Sequence, residues 1–208
     1  MYLPLNLTLF EYLLFALIVA ALLYMYDKQR KQEQLLPYRQ SRKKTKILSV
    51  IAGENVDTTS IEKALYATDI TYNLLPYDSV SQESLLAELD KNVTVFELSS
   101  HGLNGSFRLG NTTIPATWLA SVLSQYNSLE CCLLLYCNSY IDQELIAHSK
   151  LFVISLVGEV KDTTCILFAR RFYYFLNKQF DYKEAFEHAR LHLPVDEYAK
   201  FLFCDGRQ

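Results

Sequence analysis

Two residues able to supply nucleophile and base chemistry occupy equivalent places in this chain. His101 follows the run Val93–Ser100, "VTVFELSS", and Cys137 follows Cys131–Tyr136, "CCLLLY". Each run is short and apolar, of strand character, and 36 residues separate the histidine from the cysteine. A thiol becomes an effective nucleophile when a nearby imidazole takes its proton and holds the thiolate as an ion pair. The acyl intermediate then needs N–H donors for its oxyanion, and a glycine beside the base allows close backbone approach. Gly102 follows His101, and Gly105 lies three residues further on. No acidic residue stands out as an orienter of the imidazole, so the pattern reads as a dyad with the third role open.

The remaining histidines and cysteines read as structural. Cys131 and Cys132 lie inside an apolar strand, and Cys165 and Cys204 read as core positions in the same way. Free buried cysteine behaves as a small hydrophobe. His148, His188 and His192 fall on expected helices. His188 and His192 are one turn apart, but no third ligand has a metal-site spacing. There is no CxxC pair or His-x-His cluster, so neither a metal nor a cofactor is expected, and five cysteines without pairing logic fit a reduced compartment.

These side chains need elements to position them. From Thr45 onward short apolar strands alternate with amphipathic helices. Strands are expected at Lys46–Gly53, Ile70–Tyr77 (cut short by Pro76), Val93–Ser99, Cys131–Tyr136, Leu151–Val157 and Lys200–Cys204. Helices are expected from about Thr59, over Ser81–Leu89, from Pro115 to about Tyr126, over Thr163–Asn177, and from Tyr182 to about Leu193 before Pro194. Ser106–Ile114 reads as a hairpin turning at Gly110-Asn111. This order predicts an α/β fold with a mainly parallel sheet covered on both faces. In such sheets sites form at the carboxyl ends of the strands. His101 and Cys137 would then open onto one edge, and would come within reach if their strands are neighbours.

Composition narrows the function classes. The 208 residues are half hydrophobic, with 13% aromatics and only 5 prolines and 6 glycines, enough apolar material for one domain with a core. The net charge of −3 conceals a division. Residues 1–46 hold eight Lys/Arg against three Asp/Glu, leaving the rest at −8. An acidic domain behind a basic collar excludes the usual nucleic-acid footprint. The collar follows an apolar N-terminus in which Glu11 is the one charged side chain before Asp27. Residues 5–26 are long enough for a bilayer-spanning helix. Tyr12, Tyr24 and Tyr26 suit interfacial positions, and the Lys/Arg excess beyond them predicts an N-terminus outside and a domain in the cytoplasm. A cleavable signal peptide fits less well, because the start lacks positive charge and no small-residue cleavage site follows. The expected organisation is an anchor at 1–26, a basic linker at 27–45 and a domain at 46–208. Sequons at Asn6, Asn92, Asn104 and Asn111 carry no weight against this orientation. A nucleotide-binding or receiver-like domain lacks its marks: Ala52–Asp57 holds one glycine only, and no acidic magnesium cluster is evident.

"FELSSHG" (Phe96–Gly102) followed by "LLLYCNSY" (Leu133–Tyr140) resembles the caspase-like cysteine peptidases, and most closely their CHAT subgroup. "VISLVGEVKD" (Val153–Asp162), "ARRFYYFL" (Ala169–Leu176), "KEAFEHAR" (Lys183–Arg190) and "FLFCDG" (Phe201–Gly206) continue the likeness in order. It spans about Lys46 to Gly206. The resemblance implies a three-layer α/β/α sandwich, His101 as general base and Cys137 as nucleophile. It also implies oxyanion donation from the backbone of Gly102 and Cys137, and an acidic substrate-pocket residue for which Glu159 and Asp162 are the candidates by position. A peptide or protein substrate, a role in defence or programmed cell death, and an activating sensor protein are further implications. Tyr136 replaces the family's small residue before the cysteine, and Val157-Gly158 replaces its Trp-Pro, so substrate preference does not transfer. A catalytically silent adaptor or sensor of the same fold is the alternative.

Overall fold

The computed structural model describes residues 18–19, 45–53, 59, 62–63, 65, 70–102, 105–148 and 150–207. The chain divides into two compact units, residues 1–42 and 43–208. In the first unit only Ile18 and Val19 are described, and both are helical. The rest of the expected anchor, and the linker up to residue 44, lie outside the described residues. Among the described residues no helix is long and apolar enough to cross a membrane.

The second unit is α/β. Six strands form one sheet: β1 (Lys46–Ile51), β2 (Thr71–Leu75), β3 (Val95–Ser99), β6 (Cys131–Leu135), β7 (Phe152–Leu156) and β8 (Phe201–Asp205), in the order β2-β1-β3-β6-β7-β8. All neighbours are parallel except the edge strand β8, which runs antiparallel to β7. Strands β3, β6 and β7 are buried at every residue, which is why they read as mainly apolar runs, broken only by Glu97, Ser99 and Ser155, rather than as alternation. The edge strand β2 is only partly covered, and Pro76 ends it as expected. A separate hairpin, β4 (Ser106–Leu109) with β5 (Thr112–Pro115), turns at Gly110-Asn111. Gly110 takes φ +60°, the positive value that a two-residue hairpin loop asks of its first central residue.

The described helices are α1 (Gln82–Leu89), α2 (Ala116–Leu123), α3 (Tyr140–Ala147), α4 (Asp162–Asn177), α5 (Tyr182–Arg190) and α6 (Val195–Tyr198). Residues 59, 62, 63 and 65 are helical too, where a helix is expected from Thr59. Ser81 caps α1 and Asp181 caps α5, each through a reciprocal capping box. Two apolar layers result. Phe96, Leu98, Cys132 and Leu134 share one buried cluster with residues of α1 and α2, whereas Val95, Cys131 and Leu133 share another with α4 and α5. On the α4 side Phe168 stacks on Phe201 at 4.5 Å between centroids. Each fully buried aromatic of this layer contributes about 1.5–3 kcal/mol relative to exposure.

Two helices depart from the sequence expectation. Helix α3 has no counterpart there, and it begins three residues after Cys137. The last expected helix stops at Arg190, and Pro194 opens the short α6 rather than merely ending its predecessor. Proline suits that place because its fixed φ is already helical and its missing N–H is needed by no one.

Candidate active site

Strands β3 and β6 are neighbours, with Ser99 opposite Leu135. His101 and Cys137 each lie two residues beyond this last register pair, just past the carboxyl ends of the two strands. Backbone contacts continue beyond the strands. A Cβ built on Gly102 would stand 2.1 Å from the Cys137 carbonyl oxygen and 2.9 Å from Tyr136 Cδ2. Only glycine fits against that carbonyl, so the residue after the histidine rests directly on the cysteine's backbone. The hairpin holds this approach from the other side. The Arg108 N–H donates to the His101 carbonyl at 3.1 Å, Gly102 bridges to Phe107, and Ser100 Oγ donates to the Arg108 carbonyl at 2.5 Å.

The cysteine turn is pinned at four points. Asn138 adopts φ +60°, a left-handed conformation that asparagine tolerates better than most residues. Its N–H donates to the Gly158 carbonyl at 3.2 Å, and its Oδ1 accepts from the Gly158 N–H at 3.0 Å. Buried Ser139 donates through Oγ to the Leu134 carbonyl at 2.7 Å and accepts from the Leu156 N–H at 2.8 Å. The Cys-Asn-Ser turn is thereby stitched to the ends of both β6 and β7. The N–H of Cys137 donates to no acceptor among the described residues, which leaves it available to an oxyanion.

His101 is exposed and Cys137 half-buried, and no hydrogen bond joins their side chains. Catalytic hydrogen bonds are often long before substrate arrives and tighten in the complex. Two of the other cysteines, Cys132 and Cys165, are poorer nucleophiles than an ordinary thiol. Burial pushes the thiols of Cys132 and Cys165 well above the ordinary range, with Asp162 and Cys137 adding to the effect at Cys165. His188 packs 5.0 Å from both Phe175 and Phe180, and His192 stacks on Phe175 at 6.1 Å. These two histidines belong to an aromatic cluster, and among the described residues no group of three side chains has metal-ligand geometry.

The two candidate pocket acids part company. Asp162, the first residue of α4, lines a cavity of about 20 Å³ together with Glu97, Ser99, Ser100, Leu135, Cys165 and Ile166. That is room for one water molecule. Glu159 is exposed, does not line this cavity, and lends only its carbonyl to Lys200 Nζ at 2.7 Å.

Glu97 is the residue that sequence reasoning passes over. It sits fully buried in the central strand β3, two residues before Ser99 on the same face. Ser99 Oγ donates to its Oε1 at 3.1 Å, and the Tyr173 hydroxyl donates to its Oε2. Burial raises its pKa, and these hydroxyl donors oppose the rise only in part. Its register partner Ser49 is fully buried as well. The signal was a carboxylate inside "VTVFELSS", where every other strand position reads as apolar or small. No protein-family model matches the chain, and comparison with curated proteins returns no match to it.

Proposed function

We propose that this chain is a cysteine endopeptidase of the caspase-like, CHAT type, using His101 as general base and Cys137 as nucleophile. The observation that carries the reading is the seating of Gly102 on the Cys137 carbonyl, which joins the two strand ends. In the proposed cycle His101 takes the thiol proton and the Cys137 sulfur attacks the scissile carbonyl carbon. The resulting oxyanion is held by the Cys137 N–H, with Gly102 as the second backbone donor. Collapse breaks the C–N bond as the imidazolium returns the proton to the leaving amine. Water, deprotonated by His101, then hydrolyses the thioester and releases the acid and the free thiol. Asp162, which lines the small cavity, is the better candidate for contact with the substrate side chain, and Glu159 does not line it.

The apolar residues 5–26 and the basic collar support a single-pass anchor with the domain on the cytoplasmic face of the membrane. The substrates would then be proteins at that surface. An activating sensor and a role in defence or programmed cell death come from the family resemblance. The missing hydrogen bond between His101 and Cys137 favours a second reading, a silent adaptor with the same fold. Labelling by a thiol-directed acyloxymethyl ketone separates the two. A peptidase is labelled at Cys137, loses labelling on His101→Ala, and loses peptide cleavage on Cys137→Ala. An adaptor shows no cleavage and no His101-dependent labelling.

A further inference from the structure

We propose that Tyr136 and Asp142 form a positioning pair that holds the nucleophile strand against the backbone of the base; the inference rests on the dyad reading above. Tyr136 immediately precedes Cys137 and is only 2% exposed. Its hydroxyl donates to Asp142 Oδ2 at 2.8 Å, a buried bond from the end of β6 into the first turn of α3. Its ring lies 2.9 Å (at Cδ2) from where a Gly102 Cβ would stand, and its centroid is 5.8 Å from that of Phe107. Phe107 is itself bridged to Gly102. The second carboxylate oxygen, Asp142 Oδ1, lies 4.0 Å from where a Cβ on Gly105 would stand. One hydrogen-bonded ring, on the residue before the nucleophile, therefore touches the residue after the base and the hairpin that supports it.

The pair has a reason to be rigid. A buried phenol needs an acceptor and a buried carboxylate needs a donor, and here each supplies what the other lacks. Desolvation raises the pKa of both groups, and the Asp142 charge pushes the phenol of Tyr136 up further. Tyr136 is no spectator in the sheet: its ring is wedged between Gly102 and Phe107 and tethered at its hydroxyl to Asp142. Proton transfer from thiol to imidazole works only within hydrogen-bond reach, and a displacement of about 1 Å lowers rates by about 100-fold. The pair acts through the dyad and touches no reacting atom.

The test uses the full chain and follows alkylation of Cys137 by iodoacetamide across pH, read by peptide mass mapping. The component lost in His101→Ala reports the dyad. Tyr136→Phe keeps the ring and its packing, and should lower that component about tenfold. Asp142→Ala should match it, and the double variant should be no slower than either single, because one interaction is lost in all three. Asp142→Asn retains an acceptor for the hydroxyl and should stay within about threefold of the parent. Thermal melting checks that each variant is folded, and Tyr136→Phe with Asp142→Asn suffice if Asp142→Ala is not. A His101-dependent component that persists undiminished in folded Tyr136→Phe overturns the positioning claim alone. Absence of any such component in the parent protein overturns the dyad and the pair together.

Discussion

The two strand ends that meet at the site are built differently. Beyond β6, the Cys-Asn-Ser turn is tied down by four hydrogen bonds reaching β6 and the end of β7, with Ser139 buried among them. Beyond β3, His101 is exposed, and its backbone is held by the Arg108 N–H and by the contact of Gly102 with Cys137. Cys137 is thus fixed by the turn that follows it, while the exposed His101 side chain stands on a backbone held by the hairpin. Under the proposed dyad, only the His101 side chain would have to move when substrate binds.

The comparison can be broken at the contact that joins the halves. Gly102→Ala would drive a methyl group into the Cys137 carbonyl, so the strand ends must separate. The expected result is a loss of about 100-fold in His101-dependent alkylation of Cys137, with about 1–3 kcal/mol of stability lost to overpacking. The asymmetry itself is sharpened by paired substitutions. Ser139→Ala strands the Leu156 N–H and the Leu134 carbonyl in the interior and should cost about 1–3 kcal/mol in urea unfolding. His101→Ala, at an exposed position, should stay within about 0.5 kcal/mol of the parent. Equal costs would mean that the two ends are not differently built.

The smallest effect concerns the carboxyl beneath the site. In the unfolded chain Glu97 loses its proton from about pH 4.5 upward, whereas burial keeps it protonated to higher pH in the folded domain. The folded state then binds more protons, so this residue's contribution to stability falls as pH rises above the unfolded value. Glu97→Gln should remove that slope. The measurement is urea unfolding at pH 5 and pH 8, with the variant gaining on the parent at the higher pH. A parent-to-variant difference that does not change with pH would place Glu97 in its charged form.

Much of the architecture was legible because it rests on local chemistry. The buried strands were readable as mainly apolar runs, and the hairpin from Gly110-Asn111 between two short strands. Helices α1 and α5 were expected over Ser81–Leu89 and from Tyr182, whereas the caps at Ser81 and Asp181 came from the structure. Helix α3 was not legible: it is short, its pattern "YIDQELIA" has a weak apolar face, and Asp142 early in it reads as an ordinary first-turn acid. Its importance comes from where it lands, with Asp142 under Tyr136. The pairing of Asn138 with Gly158 was hidden for the same reason, since 20 residues separate two groups that touch. Glu97 left a local trace as a carboxylate in an apolar strand, but its partner Tyr173 lies 76 residues away.

By itself, then, the sequence determined the α/β class, the alternation of elements and the placing of His101 and Cys137 just past the ends of two buried strands. Those properties follow from periodicity, burial and turn chemistry, which act over a few residues. Only the tertiary structure decided that β3 and β6 are neighbours, that Gly102 rests on Cys137, that Asp162 shares a cavity with Glu97 while Glu159 does not, and that Tyr136 reaches Asp142. Strand order and cavity lining depend on long-range packing, in which hydrophobic burial is non-directional and many pairings satisfy the same apolar pattern. The specific partners are chosen only when the whole sheet and its helices close around them.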